Sequence, residues 1–239
     1  MITLYEGNTL LQLQDGAEPE KLMVIPNGIA LTESARRDRG DAAPTVALIG
    51  RVVPIKDIKT FIRSCAILAD YIPDVRVWIL GPLDEDPGYV AECRQLATHL
   101  DLDSTIEFKG RVALEDYYPL IDVLVLTSVS EAQPLVILEG AAVGVPAVAT
   151  DVGSCREMIL GRSDEQPPLG AAGAVTPLAN PAATADALRR LLTDGEAYQR
   201  CSDAAQQRVR QYYDKTNLDR AYRDLYEQHI AMADTLVSA

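Results

Sequence analysis

The chain has 239 residues, 48% of them apolar, and its 35 acidic and 22 basic residues give a net charge of −13. That length and apolar share can bury a full core, which sets aside disorder and fibrous repeats, and the acidic balance argues against nucleic acid or an anionic membrane surface as the main partner. Any anion site must therefore be local. In chain order, the start "MITLYEGNTLL" lacks the basic-then-apolar pattern of a signal peptide, and no apolar run approaches the roughly 20 residues of a membrane span. A cytoplasmic protein is expected. Short β-branched runs then follow at 21–26 (KLMVIP), 45–50 (TVALIG), 75–81 (VRVWILG), 105–110 (TIEFKG), 122–128 (DVLVLTS) and 145–150 (VPAVAT), with a last short strand at 173–175. All but the first read as buried parallel strands.

Helical patterns fall between them. Residues 57–71 place Ile58, Phe61, Ile62, Cys65 and Leu68 on one face, and further helices are expected at 89–100, in a short piece around Tyr117, and at 134–143. After the last strand the chain turns helical at 181–192, 196–212 and 218–232, while the Pro/Gly-rich residues 161–173 form a loop too short to link domains. Strict βαβ alternation with short right-handed crossovers predicts an α/β fold: one Rossmann-like, doubly wound parallel sheet followed by C-terminal helices.

In such sheets ligands sit at the carboxyl ends of the strands, near the switch point. The loop "GRVVPIK" after residues 45–50 carries Arg51 and Lys56, a fork and a point charge suited to a diphosphate, although a solvated surface loop would look the same. After residues 122–128 comes "VSEAQPLVILEG". Pro134 fits a first helical position and leaves the amides of Leu135 and Val136 free at a helix N-terminus, a ready anion site. Glu131 stands just before that helix. Glu139 lies within it among Val136, Ile137 and Leu138, either as an outward carboxylate or as an acceptor for two sugar hydroxyls.

Other chemistries are poorly supported. No GxxxxGK[ST] and no strand-following GxGxxG is present, which disfavours a P-loop nucleotidase or a nicotinamide-dependent dehydrogenase. Cys65, Cys93, Cys155 and Cys201 are scattered, with no CxxC pair, and read as reduced packing thiols. The carboxylate triplets at 84–86 and 101–103 could each pair on a metal, but an acidic chain produces such triplets readily, so no metal is assigned. His99 and His229 are isolated.

The stretches "VIPNGI" (24–29), "GRVVPIKD" (50–57), "ILGP" (79–82), "IEFKGRV" (106–112) and the run from Val125 to Ile159 together resemble the carboxyl-terminal half of family-four retaining glycosyltransferases of the GT-B fold. The Glu131-x7-Glu139 pair, preceded by Gly50-Arg51-x4-Lys56, is the specific element, and the likeness covers about residues 22–230. Within the family, "GRVVPIKDIKTFI" and "SEAQPLVILEG" are most similar to the cytosolic glycosyltransferases of Pel exopolysaccharide synthesis.

The resemblance implies roles. Arg51 and Lys56 would clamp the donor diphosphate, Glu139 would hold the ribose hydroxyls, and Glu131 would face the transferred sugar. The amides of Leu135 and Val136 would bind phosphate oxygens and the main chain at Arg111 and Val112 would border the base, with Gly50, Gln133 and Pro134 completing the nucleotide-sugar site. The donor, a UDP-hexose by expectation, is a substrate, and neither cofactor nor metal is implied. Residues 1–21 would be a linker or remnant of an amino-terminal acceptor domain, and 22–239 the donor domain. Partners would be that missing domain, membrane polysaccharide synthase components, and a second copy through the surface between the domains. Transfer by this polypeptide alone is not expected. Three positions depart from the family pattern: Ala30 replaces an Asp, Asp57 a Gly, and "EAQP" the usual "EGFG" or "EGFP". A non-catalytic sugar-nucleotide sensor or scaffold, and an epimerase of the related two-domain type, fit the same fold.

Overall fold

Apolar runs of four or five residues become strands here because both sides of each run find a hydrophobic layer. In the computed structural model, which describes residues 1–31, 40 and 42–237, the first half of the chain runs β1 (Ile2–Thr3), α1 (Glu6–Gln14), β2 (Met23–Val24), β3 (Thr45–Ile49), α2 (Ile58–Ala69), β4 (Arg76–Leu80), α3 (Pro87–His99), β5 (Ile106–Gly110) and α4 (Leu114–Tyr117). The second half runs β6 (Val123–Leu126), α5 (Leu135–Ala142), β7 (Ala147–Thr150), α6 (Cys155–Leu160), β8 (Gly173–Thr176), α7 (Pro181–Thr193), α8 (Gly195–Tyr212) and α9 (Lys215–Val237).

Strands β3 to β8 form one sheet in the order β5-β4-β3-β6-β7-β8, every pair parallel, with Val46 opposite Val77 on one side and Val123 on the other. The order reverses between β3 and β6, so this is the expected doubly wound sheet and the switch point lies there. Alternate side chains serve opposite layers. Val46, Leu48, Val77, Ile79, Val123 and Val125 pack with α2, α3 and α7, where Phe61, Ile62 and Leu188 are fully buried. Ala47, Ile49, Trp78, Leu80, Leu124 and Leu126 pack with α5, α6 and α8 through Leu138, Ile159 and Val209. The face expected of α2 is the face it buries.

Helix starts follow local chemistry. Asp86, Asn180 and Asp194 accept hydrogen bonds from the amides three residues on and so cap α3, α7 and α8. Cys65, Cys93 and Cys155 are buried and all four thiols are free; burial pushes the Cys93 thiol up to about 11 and, with the Glu131 charge adding, Cys155 up to about 12. No helix among the described residues is long and apolar enough to cross a membrane.

Two helices were not expected from the sequence. Helix α1 buries none of its residues and leaves Leu10 and Leu11 exposed, so no apolar stripe announces it. Helix α6 has only six residues, too short for a period to show. The first strand run, around Met23, pairs only with β1 in a separate two-residue ladder. The Glu6 amide donates to Glu157 Oε1 at 3.0 Å, and the Ser163 hydroxyl reaches the Glu6 carboxylate, which fixes α1 against the end of α6.

Arg208 of α8 is buried, its side chain 1% exposed. Its guanidinium grips Glu165, with Nη2 3.1 Å from Oε2, and donates to the carbonyls of Ile159 (3.1 Å) and Gly170 (2.5 Å). The Leu169 amide donates to the same carboxylate at 3.2 Å. One buried fork thereby folds the 161–172 loop onto α6 and α8.

Candidate functional site

The segment after β3 turns at Gly50, whose amide donates to the Leu80 carbonyl at 2.8 Å, and ends in a 3-10 turn at Pro54–Lys56. Asp57 follows with φ +44, a left-handed conformation that glycine adopts freely and Asp tolerates, and its carboxylate caps α2 through the Thr60 amide. The same residue thus supplies the turn and the cap. Thr127, at the end of β6, donates to the carbonyls of Lys56 (3.0 Å) and Asp57 (2.9 Å), and the Val129 amide donates to the Ile55 carbonyl. These bonds stitch the two loops of the switch point together.

Lys56 Nζ then lies 2.5 Å from Glu131 Oε1, which also accepts from the Ser128 hydroxyl at 2.7 Å. The lysine and glutamate side chains are only 18% and 14% exposed. The turn between β7 and α6 comes up against this segment. A Cβ on Gly153, which has φ +53, would sit 2.2 Å from the Glu131 carbonyl oxygen, and the Ser154 amide donates to the Ala132 carbonyl. Gly153→Ala combines left-handed strain with an overlap and is expected to lose about 2–4 kcal/mol of stability, read from urea unfolding. An unfolding midpoint equal to wild type would mean that the loop yields freely.

Helix α5 begins at Leu135, so Pro134 is the N-cap with ψ 109 and not the first helical residue as expected from the sequence. An extended Pro ψ positions it just outside the helix, and Ile137 is the first residue whose amide bonds back, to the Pro134 carbonyl. Among the described residues the amides of Leu135 and Val136 have no protein acceptor, because the first amides of a helix lack intrahelical partners and no side chain caps α5. Val136 packs against the core, and Leu135 is exposed. Gln133 is buried, its amide oxygen accepting from the Asn27 amide at 2.7 Å and its nitrogen facing the Asn27 carbonyl. It secures the 24–29 segment against the entry of α5.

A cavity of about 720 Å³ opens beside this helix, between Gly28, Ile29 and Ala30 on one side and Val112, Ala113 and Leu114 on the other. Glu139 and Leu135 of α5 line it together with Tyr118. The Tyr118 hydroxyl donates to Glu139 Oε2 at 2.5 Å, and burial, then the neighbouring carboxylate, push the phenol pKa well up. Ile29 is held by backbone bonds to Tyr213 and Lys215, so the start of α9 sets that wall.

Arg51 is half exposed and pairs with Glu85 at 3.0 Å; Arg111 pairs with Asp84 at 3.2 Å, while the neighbouring Val112 forms cavity wall. Asp84 and Glu85 of the acidic triplet at 84–86 each hold an arginine, and Asp86 caps α3. Asp103 accepts from the Thr98 hydroxyl. No group of three His, Cys, Asp or Glu side chains that could hold a metal occurs among the described residues.

The structure therefore brings Lys56 and Glu131 into contact, places Glu139, Leu135 and Val112 around one cavity, and leaves Arg51 and Arg111 on carboxylates of the loop after β4. Sequence reasoning missed Tyr118, Thr127 and Ser128. A polar pair closing an apolar strand marks Thr127 and Ser128; nothing local marks Tyr118, which meets Glu139 only across the fold.

Comparison with known proteins adds three findings. Residues 43–194 match the family described as glycosyl transferases group 1. The D-inositol 3-phosphate glycosyltransferase of Kineococcus radiotolerans is 30% identical over 197 residues, covering 75% of this chain and 45% of that protein, so the chain spans about half the length of such relatives. Among solved structures, sucrose-phosphate synthase from Thermosynechococcus elongatus superposes with a TM-score of 0.81 at 22% identity, covering 97% of this chain and 58% of that one. Anabaena HepE, solved in complex with UDP, gives 0.82 at 21% identity, covering 95% and 63%.

Proposed function

Because this chain belongs to the glycosyl transferases group 1 family, we propose that it is the donor-binding part of a two-domain, retaining, metal-independent hexosyltransferase whose donor is a UDP-hexose. The observation that carries the reading is Glu139 on the wall of the cavity, in the second turn of a helix whose first amides lack acceptors, with Glu131, in the segment just before that helix, paired to Lys56. A ribose on Glu139 would direct a diphosphate towards those amides and the lysine, since a helix N-terminus favours anions. The base would lie against the wall at Arg111 and Val112. UDP bound to HepE is consistent with this choice of nucleotide.

Each group has a chemical task. As the bond between the sugar's anomeric carbon and the diphosphate oxygen breaks, charge grows on the phosphate, and Lys56, Arg51 and the α5 amides stabilise it. The acceptor hydroxyl bonds to that carbon on the same face and its proton passes to the departing phosphate oxygen, so the configuration is retained. Lys56 has three donors and can hold Glu131 and a phosphate together. Arg51 leaves Glu85 at little cost, because exposed ion pairs contribute only about 0–1 kcal/mol. Glu131 faces the sugar. No cofactor takes part.

For the acceptor we propose a growing polysaccharide, on the likeness of two short stretches to Pel enzymes; the relative from Kineococcus carries a different acceptor in its name. A cytoplasmic setting, membrane synthase components as partners and an acceptor domain beyond these residues belong to the same proposal, with residues 1–21 leading from that domain. Leu10, Leu11, Tyr226 and Ile230 are exposed and would meet the second domain, or a second copy in its absence.

Calorimetric titration of UDP into the chain is expected to give weak, millimolar-range binding, and incubation with a UDP-hexose no sugar transfer. Absence of any heat at several millimolar UDP would remove the donor-site reading.

A further inference from the structure

Among the described residues, one buried hydroxyl contacts a carboxylate on the wall of the cavity. Tyr118 stands in the 3-10 turn Tyr118–Leu120 before β6, only 6% exposed, in the same hydrophobic cluster as Ile121, Leu124 and Leu138. The turn is braced on its other side, where the Tyr117 ring meets Trp78 edge-on at 5.5 Å. A phenol so anchored has almost no freedom, and its hydroxyl reaches Glu139 Oε2 at 2.5 Å. Among the described residues Glu139 has no cationic partner, and its other oxygen makes no bond to protein.

We infer that Tyr118 is a positioning residue for the donor's ribose: it fixes one oxygen of Glu139 so that the carboxylate meets the vicinal hydroxyls of a nucleoside diphosphate in a single orientation. The inference rests on the donor-site reading above. A glutamate side chain has several rotatable bonds, and ordering them on binding costs affinity unless the protein has already done so. A cation in this place would also orient the carboxylate, but would draw its charge away from the sugar. A neutral phenol orients it and leaves it a strong acceptor. Burial and the adjacent charge keep that phenol protonated, so it donates at any working pH.

The test compares UDP with 2′-deoxy-UDP by calorimetry on the whole chain, as wild type, Tyr118→Phe, Glu139→Ala and the double variant. Wild type is expected to prefer UDP. Tyr118→Phe keeps the buried ring and is expected to lose about tenfold in UDP affinity with 2′-deoxy-UDP changed less than about twofold, so that the preference shrinks. The double variant should bind UDP no more weakly than Glu139→Ala alone, because Tyr118 acts through Glu139. If Tyr118→Phe keeps the wild-type preference, or weakens both nucleotides equally, while Glu139→Ala abolishes the preference, Tyr118 only packs and the inference falls while the donor site stands. If wild type shows no preference, or Glu139→Ala retains it, the ribose role of Glu139 fails and this inference with it.

Discussion

Replacing Lys56 by alanine in the intact two-domain enzyme is expected to lower sugar-transfer turnover by ~10²–10³, the usual consequence of removing one preorganised donor from a developing oxyanion. Two effects combine. The proposed diphosphate loses a point charge at its leaving oxygen, and Glu131, only 14% exposed, keeps among the described residues the Ser128 hydroxyl as its sole side-chain partner. Arg51→Ala is expected to fall by the same order, since its contribution is also made to the charge that grows as the bond breaks. Its pair with Glu85 lies in solvent, however, so Glu85→Gln should leave turnover within about threefold of wild type. Single-turnover rates at saturating donor separate these effects from binding. Near-wild-type turnover in both Lys56→Ala and Arg51→Ala would end the assignment.

The largest loss of stability is expected at Arg208. Truncation to alanine leaves the buried Glu165 carboxylate without its cation and removes the arginine's bonds to the carbonyls of Ile159 and Gly170, and breaking such a pair from one side typically costs about 3–5 kcal/mol. Equilibrium urea unfolding reads this directly. Replacing both partners with apolar residues of similar volume should recover much of the loss, because the desolvation penalty disappears with the charges. The pair also predicts an acid dependence. Burial alone would raise the Glu165 pKa, but the Arg208 hydrogen bonds, the Leu169 amide and the arginine charge together hold it below the ordinary 4.5. A depressed folded-state pKa contributes stability above the unfolded value, and that contribution is lost as pH falls below about 4.5 and through the folded value. The slope of stability against pH in that acid range should flatten in Glu165→Gln. An unchanged slope would mean that other carboxylates carry the acid response.

Much of the architecture was legible because periodicity and position report burial. Val46 to Ile49 and Val123 to Leu126 are continuous apolar runs, which only a sheet covered on both faces accommodates, and the face of α2 from Ile58 to Leu68 names its own partner layer. The end of a strand is visible where such a run stops, so the loops carrying Arg51, Lys56 and Glu131 could be placed together at the carboxyl ends of the strands. Pro134 was assigned one position too far into α5, because proline suits both the cap and the first turn and only its ψ of 109 separates them. Helices α1 and α6 were invisible for the opposite reason: one buries nothing and the other is shorter than two turns.

Arg208 marks the limit most clearly. An arginine in a polar helix is ordinarily a solvated one, and nothing around it says that a glutamate 43 residues earlier will meet it in the core. The same holds for Tyr118, which is 21 residues from the carboxylate it grips, and for Asp84 and Glu85, whose arginines come from the loops after the neighbouring strands β3 and β5. The sequence by itself determined the alternation of strands and helices, the doubly wound sheet and the strand ends at which its charged loops gather, since each depends on local periodicity and on where apolar runs end. Only the tertiary structure decided which carboxylate meets which cation, how Glu139 is held and where the cavity opens, because those pairings are set by the distances between chain-distant loops, and a one-dimensional pattern contains no such distances.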